Sequence, residues 1–261
     1  MKLTSSAKLI AWIAGLSGVL FVTSCVDTRK ATYFNGINDG TKTVDISVPE
    51  SIIRKNDILS ISVTSLNPEA TEIFNNPNTT GGTNGNPGNV TGYFVNSEGN
   101  IQFPMLGNIK VEGLTKAQIK ESITKKLTER QLLKDPIVSI RLLNFRVTVL
   151  GEVKNPTVIP VPNERISLLE AIGLAGDLTI YAKRDNVLVI REESGQKIIK
   201  RINLNSNELL NSPYYYLQSD DVVYVEPNKA KVASAGRSVQ WLPAVFAAMS
   251  LAVVVVDRLV R

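Results

Sequence analysis

Ser167-Leu168-Leu169-Glu170-Ala171-Ile172-Gly173-Leu174-Ala175-Gly176 contains both the start and the stop of a helix. Ser167 with Glu170 three residues on forms a capping box, each side chain accepting the other's free backbone N–H. Ala175-Gly176 places a glycine at the left-handed position that closes a helix. Residues 145–150 ahead of it, and 187–190, 197–202 and 222–225 behind it, read as strands. Counting the strand at 137–142 just ahead of it, the unit 145–227 reads strand, strand, helix, strand, strand, strand. That order suits a small α+β domain with one helix packed across a mixed sheet.

The half of the chain before this unit has the same character. Leu59, Ile61 and Val63 alternate with polar or outward positions, which is strand periodicity. Residues 75–89, NNPNTTGGTNGNPGN, hold almost nothing apolar to bury and predict a surface loop. Residues 93–95, 101–103 and 109–111 form three short strands, separated by the turn pairs Gly99-Asn100 and Gly107-Asn108. A helix opens at Thr115, which caps it together with Gln118, while Leu114 is placed to staple onto Ile119. Ile119, Ile123 and Leu127 give it one apolar face, and Asp135-Pro136 is expected to end it. A further strand follows at 137–142.

Near the C-terminus, residues 239–256 (VQWLPAVFAAMSLAVVVV) contain no charge and are bracketed by Arg237 and by Asp257, Arg258 and Arg261. Their 18 positions (256 − 239 + 1) reach ~27 Å as a helix, close to the ~30 Å of bilayer hydrocarbon. This predicts a transmembrane helix, with Pro243 in or near its first turn, where a missing N–H costs least. Ala244, Ala248 and Ala252 recur at intervals of four, a small-residue stripe that lets membrane helices pack closely.

The N-terminus reads as an export leader. Lys2 and Lys8 precede an apolar run over 9–22, which ends in Val22-Thr23-Ser24-Cys25. The chain has one cysteine, and it stands where a leader would be cut. This resembles a bacterial lipoprotein signal, with Cys25 as the lipid-attachment residue. Acyl chains contribute ~0.8 kcal/mol per buried CH₂, so membrane lipid becomes a partner. Residues 26–48 are polar without sustained periodicity and read as a tether.

Composition excludes whole function classes. With no His and one Cys, a Ser-His-Asp triad, a Cys-His pair, a His-ligated zinc site and an intrachain disulfide are all impossible. The formal charge of +5 falls to +3 once Lys2 and Lys8 leave with the leader, and the basic residues are scattered. Nucleic acid is not an expected partner. No phosphate-binding loop is present: Gly81-Gly82-Thr83 lacks the Gly-Lys-Ser/Thr ending. No cofactor and no metal is expected.

Together, Asn96-Ser97-Glu98-Gly99-Asn100-Ile101-Gln102-Phe103-Pro104-Met105-Leu106-Gly107 and Val111-Glu112-Gly113-Leu114-Thr115 resemble the central motif of bacterial outer-membrane polysaccharide biosynthesis/export proteins. Gly151-Glu152-Val153 to Pro156, the 167–176 helix, and Ser219-Asp220-Asp221-Val222-Val223-Tyr224-Val225 resemble the soluble-ligand-binding β-grasp (SLBB) domain that follows it in that family. The chain departs from the pattern at four places. Asn56 and Asp177 stand where Gly is usual, Thr157 likewise, and Glu98 where Asp is usual. A fifth departure is in the terminal helix: relatives are described as lining a pore with an amphipathic one, yet only Ser250 is polar between Trp241 and Val256.

The resemblance implies an α+β protein in five parts: a signal peptide (1–24), a tether (25–48), an export domain (49–144), one β-grasp domain (145–230) and a C-terminal transmembrane helix (231–261). It further implies an outer-membrane lipoprotein with its body in the periplasm. Its copies form a homo-oligomeric ring that passes a polysaccharide, and energy comes from an inner-membrane polysaccharide co-polymerase. Two other readings stand beside the channel: a carbohydrate-binding or scaffolding lipoprotein that needs no pore, and a glycan-processing enzyme built on carboxylates. Tyr214, Tyr215 and Tyr216 fit sugar stacking or interface contacts, and equally fit core filling. Glu192-Glu193 and Asp220-Asp221 are poorly suited to paired acid–base work, because adjacent residues of a strand face opposite ways. Solvated turns are the expectation for both doublets.

Overall fold

The computed structural model describes residues 32–35, 50–75, 92–193, 195–234 and 237–260. The leader, Cys25, and the Asn/Gly-rich loop beyond Asn75 lie outside the described residues.

The first domain is built on β1 (Ile58–Thr64), which pairs antiparallel with β2 (Tyr93–Phe94) on one side and β5 (Ile137–Leu142) on the other. α1 (Pro68–Glu72) follows β1 and is capped by Asn67, whose side chain accepts from the N–H of Glu69 and Ala70. β3 (Asn100–Phe103) and β4 (Gly107–Lys110) form a hairpin, and α2 (Lys116–Glu129) packs on β5. The alternation along β1 does what its period requires: Leu59, Ile61 and Val63 are buried, in the same core as Ile119, Ile123 and Leu127 of α2. Tyr93 is buried too and satisfies its hydroxyl by donating to the Phe74 carbonyl at 2.8 Å.

α2 begins where the capping box puts it, with both reciprocal bonds of Thr115 and Gln118 formed. It ends at Glu129, well before Asp135-Pro136. Gln131 takes a left-handed conformation (φ 54°), its N–H bonds to Thr128 O, and Leu132 N–H bonds to Leu127 O. That is the Schellman closure, made here by Gln instead of Gly.

The second domain is one five-stranded sheet, order β7-β6-β10-β8-β9, comprising β6 (Arg146–Gly151), β7 (Thr157–Pro160), β8 (Ala182–Glu193), β9 (Gln196–Ile202) and β10 (Val222–Pro227). Only β6 and β10 run parallel, so the sheet is mixed. β7 falls outside the ranges that read as strands in the sequence. Its Pro160 is tolerated because β7 is an edge strand. α3 (Leu168–Leu174) has both capping-box bonds, then closes on Gly176 (φ 82°) with Asp177 N–H reaching Ile172 O. Its Leu168, Ala171 and Ile172 are buried over Val147, Val149, Val187, Val189, Val223 and Val225 of the sheet. Gly151 is fixed by close approach: a Cβ there would sit 2.1 Å from the Val225 carbonyl oxygen.

Two expectations for the ends need correction. The tether is not purely polar linker, since Tyr33 and Phe34 pack against the core and Phe34 N–H bonds to Leu204 O at 3.1 Å. After β10, α4 (Lys229–Ser234) precedes α5 (Arg237–Val260), and Pro243 lies inside α5, six residues past its first residue (243 − 237). Among the described residues no helix is long and apolar enough to cross a membrane.

Replacing Gln131 with Gly removes the left-handed penalty at the end of α2. We expect Gln131→Gly to raise stability by about 0.5–1 kcal/mol, read as a higher urea midpoint at unchanged m-value.

Candidate functional site

The residues with functional potential gather around the segment between the 3₁₀ turn Asn207–Asn211 and β10. Tyr214, Tyr215 and Tyr216 lie there, tied to the start of α3: Leu168 N–H bonds to Tyr215 O, Leu217 N–H bonds to Ile166 O, and Ser167 bridges Tyr216. Tyr214 and Tyr215 are half-buried against the core. The Arg191 guanidinium lies 4.7 Å from the Tyr214 ring centre, and Arg165 lies 4.8 Å from that of Tyr216, whose hydroxyl it also meets. Tyr215 and Tyr216 meet edge to face at 5.0 Å. One face of Tyr214 and one of Tyr216 are thus taken by the chain's own cations.

Under the tyrosines sits a charge pair that sequence reasoning missed. Arg191 (3% exposed) and Asp221 (0% exposed) are bidentate: Nε to Oδ1 at 3.0 Å and Nη2 to Oδ2 at 2.7 Å. Arg191 also donates to Tyr216 O at 3.2 Å, and Asp221 accepts the Gln218 N–H at 2.8 Å. The expectation of a solvated turn fails for Asp221, which is buried, and holds only in part for Glu192 and Glu193, which are exposed but form the end of β8. Asp220, next to Asp221, is exposed and pairs with Arg146 at 2.9 Å. The signal was the phase of alternation: Val187, Val189 and Arg191 share one face of β8, as Asp221, Val223 and Val225 share one side of β10 and the residue before it. The ladder Val223↔Val189, Val222↔Ile190 continues to set Asp221 opposite Arg191.

The same segment joins the two domains. Arg54 of the first domain donates to Gln218 Oε1 and Ser219 O of the second, each at 3.1 Å. Beside it Asp57, 4% exposed, accepts the Arg54 backbone N–H at 2.8 Å. Burial pushes the Asp57 carboxyl up to about 6, against the pull of that N–H; nearby Asp220 adds to the rise, and the Arg54 charge opposes it. A second tie is Lys116 to Glu164 at 2.6 Å, with Glu164 also accepting the Leu142 N–H at 2.9 Å.

The remaining candidates are elsewhere. Ala244 and Ala248 lie exposed on α5, and Ala252 falls on the same helix. Cys25 is outside the described residues. Among the described residues no group of three or more His, Cys, Asp or Glu side chains could hold a metal ion.

Asp221→Ala leaves the Arg191 charge buried without a carboxylate, so it should cost about 3–5 kcal/mol, whereas the double change Arg191→Met, Asp221→Leu should cost far less. Chemical denaturation of the four variants of the cycle measures the difference. For Asp57 the raised value means the folded state holds its proton between about pH 4 and 6, where the unfolded chain has released it. Stability therefore falls as pH rises through that window, by up to about 3 kcal/mol. Asp57→Asn should flatten the slope between pH 4 and 6 and raise the melting temperature at pH 7.

Comparison with known proteins places both domains. Residues 46–143 match the family described as polysaccharide biosynthesis/export protein, and residues 145–225 match the SLBB domain. The chain is 31% identical over 156 residues to the EPS I polysaccharide export outer membrane protein EpsA of Ralstonia solanacearum, covering 58% of this chain and 41% of that protein. It is 30% identical over 155 residues to the protein of the same description from Ralstonia nicotianae, covering 58% and 40%. The chain thus spans about two fifths of the length of these relatives. The two matched domains are adjacent, so the chain carries a domain of the polysaccharide biosynthesis/export type followed directly by an SLBB domain.

Proposed function

We propose that this protein is an outer-membrane lipoprotein that takes part in polysaccharide export, as a subunit of a ring-forming channel for capsular or exopolysaccharide. It binds no nucleotide and performs no chemistry on the glycan. Energy and length control come from an inner-membrane co-polymerase. The observation that carries the reading is α5. Its 24 residues reach ~36 Å at ~1.5 Å each. Trp241, Phe246, Met249, Leu251 and Val254 are all more than half exposed, outside either core. Side chains of this kind need lipid or protein around them. Over the described residues no helix is long and apolar enough to span, but the sequence runs 18 positions without charge from Val239 to Val256. One helix cannot enclose a hydrated chain, so a conduit needs several side by side, with Ala244, Ala248 and Ala252 as the close-packing stripe.

The other attachment is Cys25. Tyr33 stands eight residues beyond it (33 − 25), at most ~29 Å of extended chain. The Tyr33 hydroxyl donates to Asp177, and its ring lies 5.6 Å from the Arg184 guanidinium. Asn228 N–H, at the exit from β10, bonds to Tyr181 O, and Lys231 lies over the Tyr181 ring. Both routes to the membrane therefore leave the β-grasp domain beside the segment 177–184, which supports a β-grasp domain near the membrane.

The count over the described residues favours one rival, a non-channel scaffolding or carbohydrate-binding lipoprotein. It would keep its role with residues 238–261 removed. Imaging of detergent-extracted full chain should show closed rings, and a chain ending at Ser234 should show none. A full chain that stays monomeric over a wide concentration range would remove the channel reading. Ala248→Leu should weaken assembly while leaving both domains folded. Unchanged oligomer stability would show that the stripe is not a packing face.

A further inference from the structure

β8 carries two buried arginines, and one of them lacks a counter-charge. Arg191 has the Asp221 carboxylate and the Tyr216 carbonyl. Arg184, on the same strand and 7% exposed, has no ion pair among the described residues, and its Nε is buried without an acceptor. What lies against it is the Tyr33 ring, 5.6 Å from the guanidinium carbon. A ring face offsets less of the desolvation of a buried cation than a carboxylate does. Leu204 N–H bonds to the Arg184 carbonyl, and one residue further Asn205 keeps a buried Oδ1 that no donor reaches. Buried polar groups left in this state are rare in folded proteins, and each calls for a functional account.

Tyr33 does not supply the missing charge. Burial and the hydrogen bond to Asp177 both hold its phenol above the ordinary tyrosine range, against the pull of Arg184. The hydroxyl therefore stays a neutral donor to the Asp177 carboxylate. One side chain thus spans two groups, with its hydroxyl on Asp177 and its ring on Arg184. A molecule taking its place must bring Asp177 a hydroxyl and Arg184 an acceptor. A guanidinium gains most from a planar carboxylate held through two parallel bonds. Acetate would leave Asp177 without a donor, and a neutral sugar would leave Arg184 without an anion. A hydroxylated carboxylate meets both demands.

We propose that Arg184 and Asp177 form a binding site for an acidic sugar residue, with Tyr33 as its displaceable cover. The backbone bond from Phe34 N–H to Leu204 O at 3.1 Å and two half-buried rings hold the cover in place. Contacts of this size exchange with a ligand that brings a full counter-charge. The inference rests on the proposed export function only for the source of the sugar.

The test is titration of the full chain in detergent with sodium glucuronate at constant ionic strength, read by ligand-observed NMR. Tyr33→Ala should bind roughly fivefold more tightly than the wild type, because the ring no longer competes for Arg184. In that background Arg184→Met should lose the binding while the melting temperature is kept, since it removes a buried charge without breaking a pair. Asp177→Gly, in the same background, keeps the left-handed turn (φ 71°). It should weaken glucuronate roughly tenfold and leave acetate unchanged, which keeps the test decisive if the arginine variant folds poorly. Glucose and chloride should not bind. Inorganic phosphate held as tightly as glucuronate would mark a general oxyanion site and overturn the sugar assignment. Glucuronate held no more tightly by Tyr33→Ala than by its Arg184→Met derivative would remove the site, while the channel reading stands. A chain that forms no rings yet binds glucuronate in this pattern keeps the site and loses the channel.

Discussion

The Arg191–Asp221 pair is the constraint from which the functional end of the β-grasp domain is built. Two charges moved out of water are costly unless every remaining donor and acceptor finds a partner. Here the surplus bonds decide the shape of the segment above. Arg191 draws in the Tyr216 carbonyl, and Asp221 draws in the Gln218 N–H. The segment so fixed turns the Gln218 side chain and the Ser219 carbonyl outward to meet Arg54. A pair inside one domain thereby sets the seat of the other. The tyrosines follow the same logic. They are placed by the backbone ties to α3 and by cations on their faces, which gives the three rings a structural task whatever else they touch.

Much of this fold could be read from sequence, because its local signals are mutually consistent. Thr115 with Gln118 and Ser167 with Glu170 start their helices where a capping box must, and Leu59, Ile61 and Val63 turn inward together. What escaped reading escaped for definite reasons. Gln131 ends α2 through backbone geometry that no residue preference announces. β7 contains Pro160 and is held by the register of its neighbour, which sequence cannot display. Tyr33 and Phe34 dock by contacts with Asp177, Arg184 and Leu204, far along the chain. Arg191 and Asp221 were visible only to a reader who trusted phase over polarity. A charged residue in the inward phase of a strand is either an error of register or half of a pair.

Two of the positions where the chain departs from the glycines of the family it resembles explain themselves. Asn56 has φ 68° and Asp177 has φ 71°. Both are left-handed, the region in which glycine has no steric cost and Asn and Asp are the side chains best tolerated. The substitutions thus keep the backbone path while adding a side chain. At Asp177 that addition has a use, since its carboxylate receives the Tyr33 hydroxyl. A glycine there would hold the turn after α3 equally well but could not hold the tether.

That contact bears on how a chain attached at two places, as proposed, would stand in one way. Were Cys25 to carry the proposed lipid on a tether free up to the first domain, the lipid would fix only a distance, and the body could lean toward or away from the membrane. With Tyr33 and Phe34 bound to the β-grasp domain, the chain has a fixed point eight residues beyond Cys25 (33 − 25). The same segment, 177–184, also carries the Asn228 contact from which the path to α5 begins. Two short connections leaving one region restrict tilt far more than either alone, because tilting about one must stretch the other.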